Sequence, residues 1–207
     1  MNTDTNKENN YFNISHPTEE LIKQNCNFID QYNEISKWDW SDRGASSYAG
    51  SITYRQMPCL KDILAVTNAK SVLEIGFNCG FSALIWLLSG VDYLHSIDMA
   101  GSDNGIRTLK KIYEERFDFL RINSFDLKYS DLNKSFDIVF IDGDHSVNGV
   151  INDITKSLLF NPKYIVFDDY FHCHHGADIK IAINQFNNLK LVKEYHPDPG
   201  FGLYKVK

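Results

Sequence analysis

Val72-Leu73-Glu74-Ile75-Gly76-Phe77-Asn78-Cys79-Gly80-Phe81-Ser82-Ala83-Leu84-Ile85-Trp86-Leu87 passes from an apolar run, through a loop with two glycines, into an apolar segment without a charge. That pattern reads as a strand, a tight turn and the start of a helix. Glycine suits a loop that passes beneath a ligand, where positive φ and close backbone approach are needed. The helix start adds N–H groups and a positive dipole end. A small-molecule cofactor fits such a loop, although any α/β domain can carry a plain glycine-containing connection there. A dinucleotide does not fit. Glu74 stands where the first glycine of G-x-G-x-x-G belongs, and a carboxylate there repels a pyrophosphate. Glu74, Gly76 and Gly80 instead suit a cationic ligand, with Asn78 and Phe81 as further contacts of the same loop.

The whole chain sets the bounds. Its 207 residues, 43% hydrophobic and 14% aromatic, suffice for one sizeable core and are short for two. A net charge of −6 argues against nonspecific binding to nucleic acid or an anionic membrane, each of which needs a basic face. A small molecule or a glycan is the expected partner, and the composition is compatible with a homo-oligomer. Cys26, Cys59, Cys79 and Cys173 lie far apart and form no C-x-x-C pair. No secretory signal precedes them, so a reduced, cytoplasmic setting is expected. No apolar run approaches the roughly 18 residues of a membrane span.

Residues 1–15 are polar and Asn-rich, and read as a disordered arm; residues 16–207 form one domain, with accessory helices and a lid over 16–70. Pro17 and the spacing of Leu21, Ile22, Cys26, Phe28 and Ile29 suggest a helix, and Trp38 to Ser51 a lid or packed loop. Tyr54 to Asn68 regains helical spacing. Beyond the glycine loop the chain alternates. Strands are predicted at Tyr93–Asp98, Phe119–Asn123, Phe136–Asp142 and Tyr164–Asp168. Helices are predicted at Gly105–Phe117, Val147–Phe160 and Ala177–Phe186, with a polar turn over Ser124–Lys134. Apolar strands alternating with helices imply a parallel sheet covered on both faces. Lys190–His196 and Phe201–Val206, joined through Pro197-Asp198-Pro199-Gly200, read as a closing antiparallel hairpin.

Asp98 ends the strand after the glycine loop, 22 residues beyond Gly76, where a carboxylate can accept from both ribose hydroxyls of a nucleoside. Glu74, Gly76 and Gly80 resemble the first motif of class I S-adenosylmethionine (SAM) methyltransferases, and Asp98 at this spacing strengthens the resemblance. The resemblance implies a Rossmann-like α/β fold, a seven-stranded mostly parallel sheet with a C-terminal antiparallel hairpin, and SAM as cofactor. It further implies that Met99 packs on adenine and that Ser124 and Phe125 meet the adenine edge.

A second group is Phe140-Ile141-Asp142-Gly143-Asp144-His145-Ser146, followed one crossover later by Val166-Phe167-Asp168-Asp169-Tyr170. Both place carboxylates at the carboxyl ends of strands, where open α/β sheets bind ligands. Neighbouring strands lie about 4.8 Å apart, so Asp142 and Asp168 can share one ion if their strands pair. Clustered carboxylates raise each other's pKa, a cost that a divalent cation removes, and an all-oxygen set selects Mg²⁺, Mn²⁺ or Ca²⁺. The alternative is that some of them, Asp144 above all, cap the following helices.

Here the sequence resembles metal-dependent O-methyltransferases, both the catechol and caffeoyl-CoA type and relatives that methylate sugar hydroxyls. The resemblance covers Tyr54 to the C-terminus and implies Mg²⁺ or Mn²⁺ on Asp142, Asp168 and Asp169. The catechol type has Asp-Asn where this chain has Asp168-Asp169, and a catalytic Lys where it has His145. The departures favour a sugar or polyol acceptor, with His145 as proton acceptor. A catechol or nitrogen acceptor is the nearest alternative. His172, Cys173, His174 and His175 supply an alternative base, and a zinc site there lacks a distant Cys/His pair to complete it. A metal-dependent phosphoesterase and a SAM-binding protein without turnover are the readings from other classes.

Overall fold

A computed structural model describes residues 56–196 and 200–207. The expected arm, the helix from Pro17, the segment Trp38 to Ser51 and the first residues of the helix from Tyr54 lie outside the described residues, as do Pro197, Asp198 and Pro199.

Helix α1 (Met57–Thr67) precedes β1 (Ser71–Ile75), and the glycine loop leads into α2 (Phe81–Leu88). Then follow β2 (Tyr93–Asp98), α3 (Asp103–Tyr113), β3 (Phe117–Arg121), the single-turn α4 (Tyr129–Leu132) and β4 (Ile138–Ile141). The chain closes with α5 (Val147–Leu158), β5 (Tyr164–Phe167), α6 (Gly176–Ile183), β6 (Leu189–Tyr195) and β7 (Phe201–Val206). One seven-stranded sheet has the order β3-β2-β1-β4-β5-β7-β6. The pairs from β3 to β5 are parallel, and β7 runs antiparallel between β5 and β6. The expected parallel sheet with an antiparallel closing hairpin is therefore present.

Period-two alternation in the strands sorts side chains onto two cores, one on each face of the sheet. Val72, Leu94, Ile138, Phe140 and Val166 face one, with α1 and the uncharged α2. Leu73, Ile75, Ile97, Val139, Ile141, Ile165 and Phe167 face the other, with Val150 and Ile154 of α5 and Ile179 of α6.

Several boundaries differ from those predicted. Helix α3 starts two residues early because the Ser102 hydroxyl caps it by accepting from the Gly105 amide. It stops at Tyr113 because Glu114 takes φ 41° and a 3₁₀ turn follows. Phe117, predicted as the last residue of that helix, instead opens β3, is buried and stacks on Phe77. Helix α5 stops at Leu158 and α6 at Ile183, each short of the predicted end. The polar turn over 124–134 contains a 3₁₀ turn and α4.

Strand direction reverses its spread between β1 and β4, the switch point at whose carboxyl edge a crevice forms. Gly76 sits on that edge at φ +99°. A Cβ built on it would meet the Asp142 carbonyl oxygen at 2.0 Å, so only glycine lets the loop lie against the end of β4. We predict that Gly76→Ala lowers unfolding stability by roughly 2–5 kcal/mol, since it combines positive-φ strain with a backbone clash. A urea midpoint within error of wild type would contradict this.

Candidate active site

Glu74 and Ser96 are register partners on β1 and β2, and the Ser96 hydroxyl donates to the Glu74 carboxylate. Alternation turns Glu74 toward α2, where Ser82 of the first turn adds a second bond. The side chain is completely buried. Burial pushes its pKa up to about 7 against these two bonds, and the neighbouring charge of Asp98 adds to the rise. Glu74, expected at the cationic end of a cofactor, thus lies beneath the glycine loop rather than on its surface.

Asp98 organises the loop above it. Its Oδ2 accepts from the Phe77 amide at 2.9 Å and the Asn78 amide at 2.8 Å, and its Oδ1 from Ala100 at 2.7 Å. Burial alone would raise this carboxyl, but the amides of Ala100, Asn78, Gly101 and Phe77 outweigh it and hold the group below its usual range. A carboxylate offers about four lone-pair sites, so amides from four residues take up most of that capacity and fix the carboxylate beneath the loop. Asn78 adopts φ 48° and its carbonyl accepts from Ser102, which ties the loop to the start of α3. Gly80 starts α2 at φ 88° over the Phe77 ring. The Phe81 side chain belongs to the core, which leaves only its backbone to meet a ligand.

Met99 and Phe125 are large apolar side chains left 68% and 52% exposed, so neither is core. Ser124 Oγ accepts from Asn152 of α5 at 3.1 Å. Next to it lies Asp153, 1% exposed, with one carboxylate oxygen unpartnered and a pKa pushed by burial up to about 6. Sequence reasoning missed Asp153. Its signal was an acid on the buried stripe Val150, Asp153, Ile154 and Ser157 of an amphipathic helix.

Asp142 and Asp168 follow the register pair Ile141 and Phe167, so the two carboxyls leave adjacent strand ends, but among the described residues the ligand atoms gathered within 4.8 Å of one another are those of His145, Asp169 and His175. Asp169 takes φ 53°, turning the chain out of β5. Burial, reinforced by Asp169, holds Asp142 well above the usual carboxylate range. Burial, reinforced by Asp142 and Asp169, does the same for Asp168. Asp168 is 3% exposed and its Oδ1 has no hydrogen-bond partner. Among the described residues the only basic side chain within ion-pair distance of this group is that of His145, whose Nε2 lies 3.5 Å from Asp142 and 3.4 Å from Asp169. Asp144 stands apart: it bonds the amide and hydroxyl of Ser146, and Ser146 caps α5 through Gly149.

The loop after β5 returns over this group. His172 donates its amide to Asp169 and accepts from Gly176, and Gly176 packs where a Cβ would lie 2.7 Å from the Tyr170 carbonyl oxygen. The fold-back stacks His175 on His145 at 4.7 Å between ring centroids, and His172 on His175 at 4.6 Å. The histidine loop and the carboxylate group, treated apart in the sequence, are one cluster.

Residues 73–170 match the family described as "Methyltransferase domain". That segment holds the glycine loop and the strand-end aspartates, and the match supports a SAM-dependent methyltransferase. Its fold is similar to cofactor-bound Rv0187 from MTB, at 16% identity and TM-score 0.69, over 92% of this chain and 97% of that one. It is also similar to an O-methyltransferase from Bacillus cereus in complex with SAH, the demethylated cofactor, at 16% identity and TM-score 0.64, over 87% and 91%. The SAH-bound methyltransferase PaMTH1 of Podospora anserina gives 16% identity and TM-score 0.63, over 89% and 96%. At such identities these likenesses are of fold. No curated protein matches the chain. The domain match leaves the phosphoesterase alternative without support, and no helix among the described residues is long and apolar enough to cross a membrane.

A buried carboxyl whose pKa is higher folded than unfolded contributes its stability at low pH and loses it as pH rises through the folded value. For Glu74 that window runs from about 4.5 to about 7. Glu74→Gln should therefore match wild type near pH 4.5 and exceed it at pH 8 by up to about 3 kcal/mol, at about 1.4 kcal/mol per unit. Urea midpoints across that range test the sign; a variant less stable at pH 8 contradicts it.

Proposed function

We propose that this methyltransferase acts on oxygen, passing the SAM methyl group to a hydroxyl of a sugar or similar small polyol with a divalent cation, Mg²⁺ or Mn²⁺, held by Asp142, Asp168 and Asp169. The observation that carries the reading is the buried, unpartnered Oδ1 of Asp168 beside two more carboxyls, with no lysine or arginine pairing them among the described residues. Three carboxylates packed this way repel, and a divalent ion is the partner that makes the arrangement favourable. A polyol acceptor is supported by the Asp168-Asp169 pair and by Phe140 to Ser146, which resemble the sugar-modifying relatives.

Methyl transfer is an in-line displacement at a carbon already activated by the sulfonium, so the protein's task is alignment and proton removal. When bound, the cation supplies Lewis acidity to the acceptor hydroxyl. Asp98 holds the Phe77 and Asn78 amides and so sets the shape of the loop that carries SAM. Met99 and Phe125 offer exposed apolar surface for adenine, with Ser124 at its edge. The contact of Gly76 with Asp142 then brings the cofactor loop beside the carboxyls that receive the acceptor, which keeps donor and acceptor in one crevice. The proposed setting is the cytoplasm, in line with the free thiols of Cys59 and Cys173.

Chelation with EDTA should abolish turnover of a polyol acceptor, and Mn²⁺ or Mg²⁺ should restore it, while calorimetry shows SAM affinity within twofold throughout. Asp168→Asn should lower kcat by about 10²-fold with SAM affinity intact, and Asp98→Ala should weaken SAM binding at least about tenfold. Full turnover in chelator removes the metal, and a preference for amine acceptors in a substrate panel removes the oxygen assignment.

A further inference from the structure

We infer that the cation site includes nitrogen donors: the imidazoles of His145 and His175 join Asp169 as ligands, so the site selects a first-row transition ion such as Mn²⁺, Fe²⁺, Co²⁺ or Zn²⁺ over Mg²⁺. The inference rests on the metal-dependent reading and names the ion and donor set of that same site.

Distances carry it. Ligand atoms of His145, Asp169 and His175 all lie within 4.8 Å of one another. Two donors about 2.1 Å from one ion stand about 3.0 Å apart at a right angle, about 3.4 Å at the tetrahedral angle and about 4.2 Å when opposed. The 3.4 and 3.5 Å separations from His145 Nε2 to Asp169 and Asp142 fall in that range. They are too long for the charge-assisted hydrogen bond that a protonated imidazole would make, which closes to about 2.7–2.9 Å. The Nε2 atom is moreover buried and satisfies no hydrogen bond, as is Oδ1 of Asp168, itself 3% exposed beside the same group.

Loop geometry explains how two imidazoles arrive together. His145 enters from the loop after β4, and His175 is carried over it by the turn through His172 and Gly176. The two rings now stack with 23° between planes, and the soft χ2 of histidine allows both to tilt toward a common ion. Imidazole favours ions of intermediate softness, whereas Mg²⁺ prefers oxygen and water. His145 is then a ligand, and the sequence reading that made it the proton acceptor gives way.

The test uses the full, untagged chain freed of metal and without SAM. Mn²⁺ and Co²⁺ should each bind about 10²-fold more tightly than Mg²⁺ by calorimetry, and pulsed electron paramagnetic resonance of the Mn²⁺ form should show coupling to imidazole ¹⁴N. His175→Ala, at a partly exposed position, should keep the wild-type thermal midpoint and Mg²⁺ affinity, lose one ¹⁴N coupling and weaken Co²⁺ at least about tenfold. His145→Gln should show the same loss of nitrogen coupling. A Mn²⁺ spectrum without ¹⁴N coupling, or unchanged Co²⁺ affinity in His175→Ala, overturns the nitrogen donors and leaves an oxygen site standing. No binding of Mg²⁺, Mn²⁺ or Co²⁺ to the wild-type chain overturns both this inference and the metal-dependent reading beneath it.

Discussion

The missing side chain of Gly76 is the constraint on which the crevice depends. A Cβ there would lie 2.0 Å from the Asp142 carbonyl oxygen, so the glycine loop can press on the end of β4 only because position 76 has none. The contact joins two regions with separate tasks. One carries the amides and glycines suited to a cofactor, and the other carries the carboxyls suited to a cation and an acceptor. Strand order supplies the rest, because β1 and β4 are neighbours at the point where the sheet changes its direction of spread.

Electrostatics around that contact are costly and uneven. Glu74, Asp98, Asp142, Asp168 and Asp169 all lie along one carboxyl edge of the sheet, yet they are stabilised in different ways. Asp98 is met by backbone amides and stays ionised. Glu74 is met only by two hydroxyls in a dry interior, and its proton is held to near neutrality. Asp142 is buried facing the charges of Asp169, Glu74 and Asp98, and Asp168 is buried facing those of Asp142 and Asp169. Amides stabilise negative charge where the loop must be rigid, while the unrelieved pair is left where a positive ion would be useful. A folded chain that retains such repulsion loses stability for it, and retention of that kind marks functional sites more often than structural ones.

Much of this was legible in residues 72–207. Alternating apolar runs gave parallel strands, because successive strand side chains point to opposite faces and a continuous apolar run is buried on both. Glycines at 76 and 80 and acids at strand ends marked the crevice, because the carboxyl edge is where loops and free amides gather. Element ends were less legible. Phe117 looked like the end of a helix but opens β3, because the φ of Glu114 breaks the helix and no side-chain pattern announces a left-handed residue.

Sequence by itself determined the α/β class, the glycine loop, and which aspartates stand at the carboxyl ends of β4 and β5. Each of these follows from local periodicity or from a residue's own conformational range. Tertiary structure alone decided that His175 lies on His145, that Asp153 is buried beside Ser124, and that Glu74 sits under its loop rather than on it. Those facts depend on which loops meet after β4 and β5 pair and on how far α2 covers β1. Contacts between residues 145 and 175 arise from the path of a folded-back turn, which the spacing of residues along the chain does not encode.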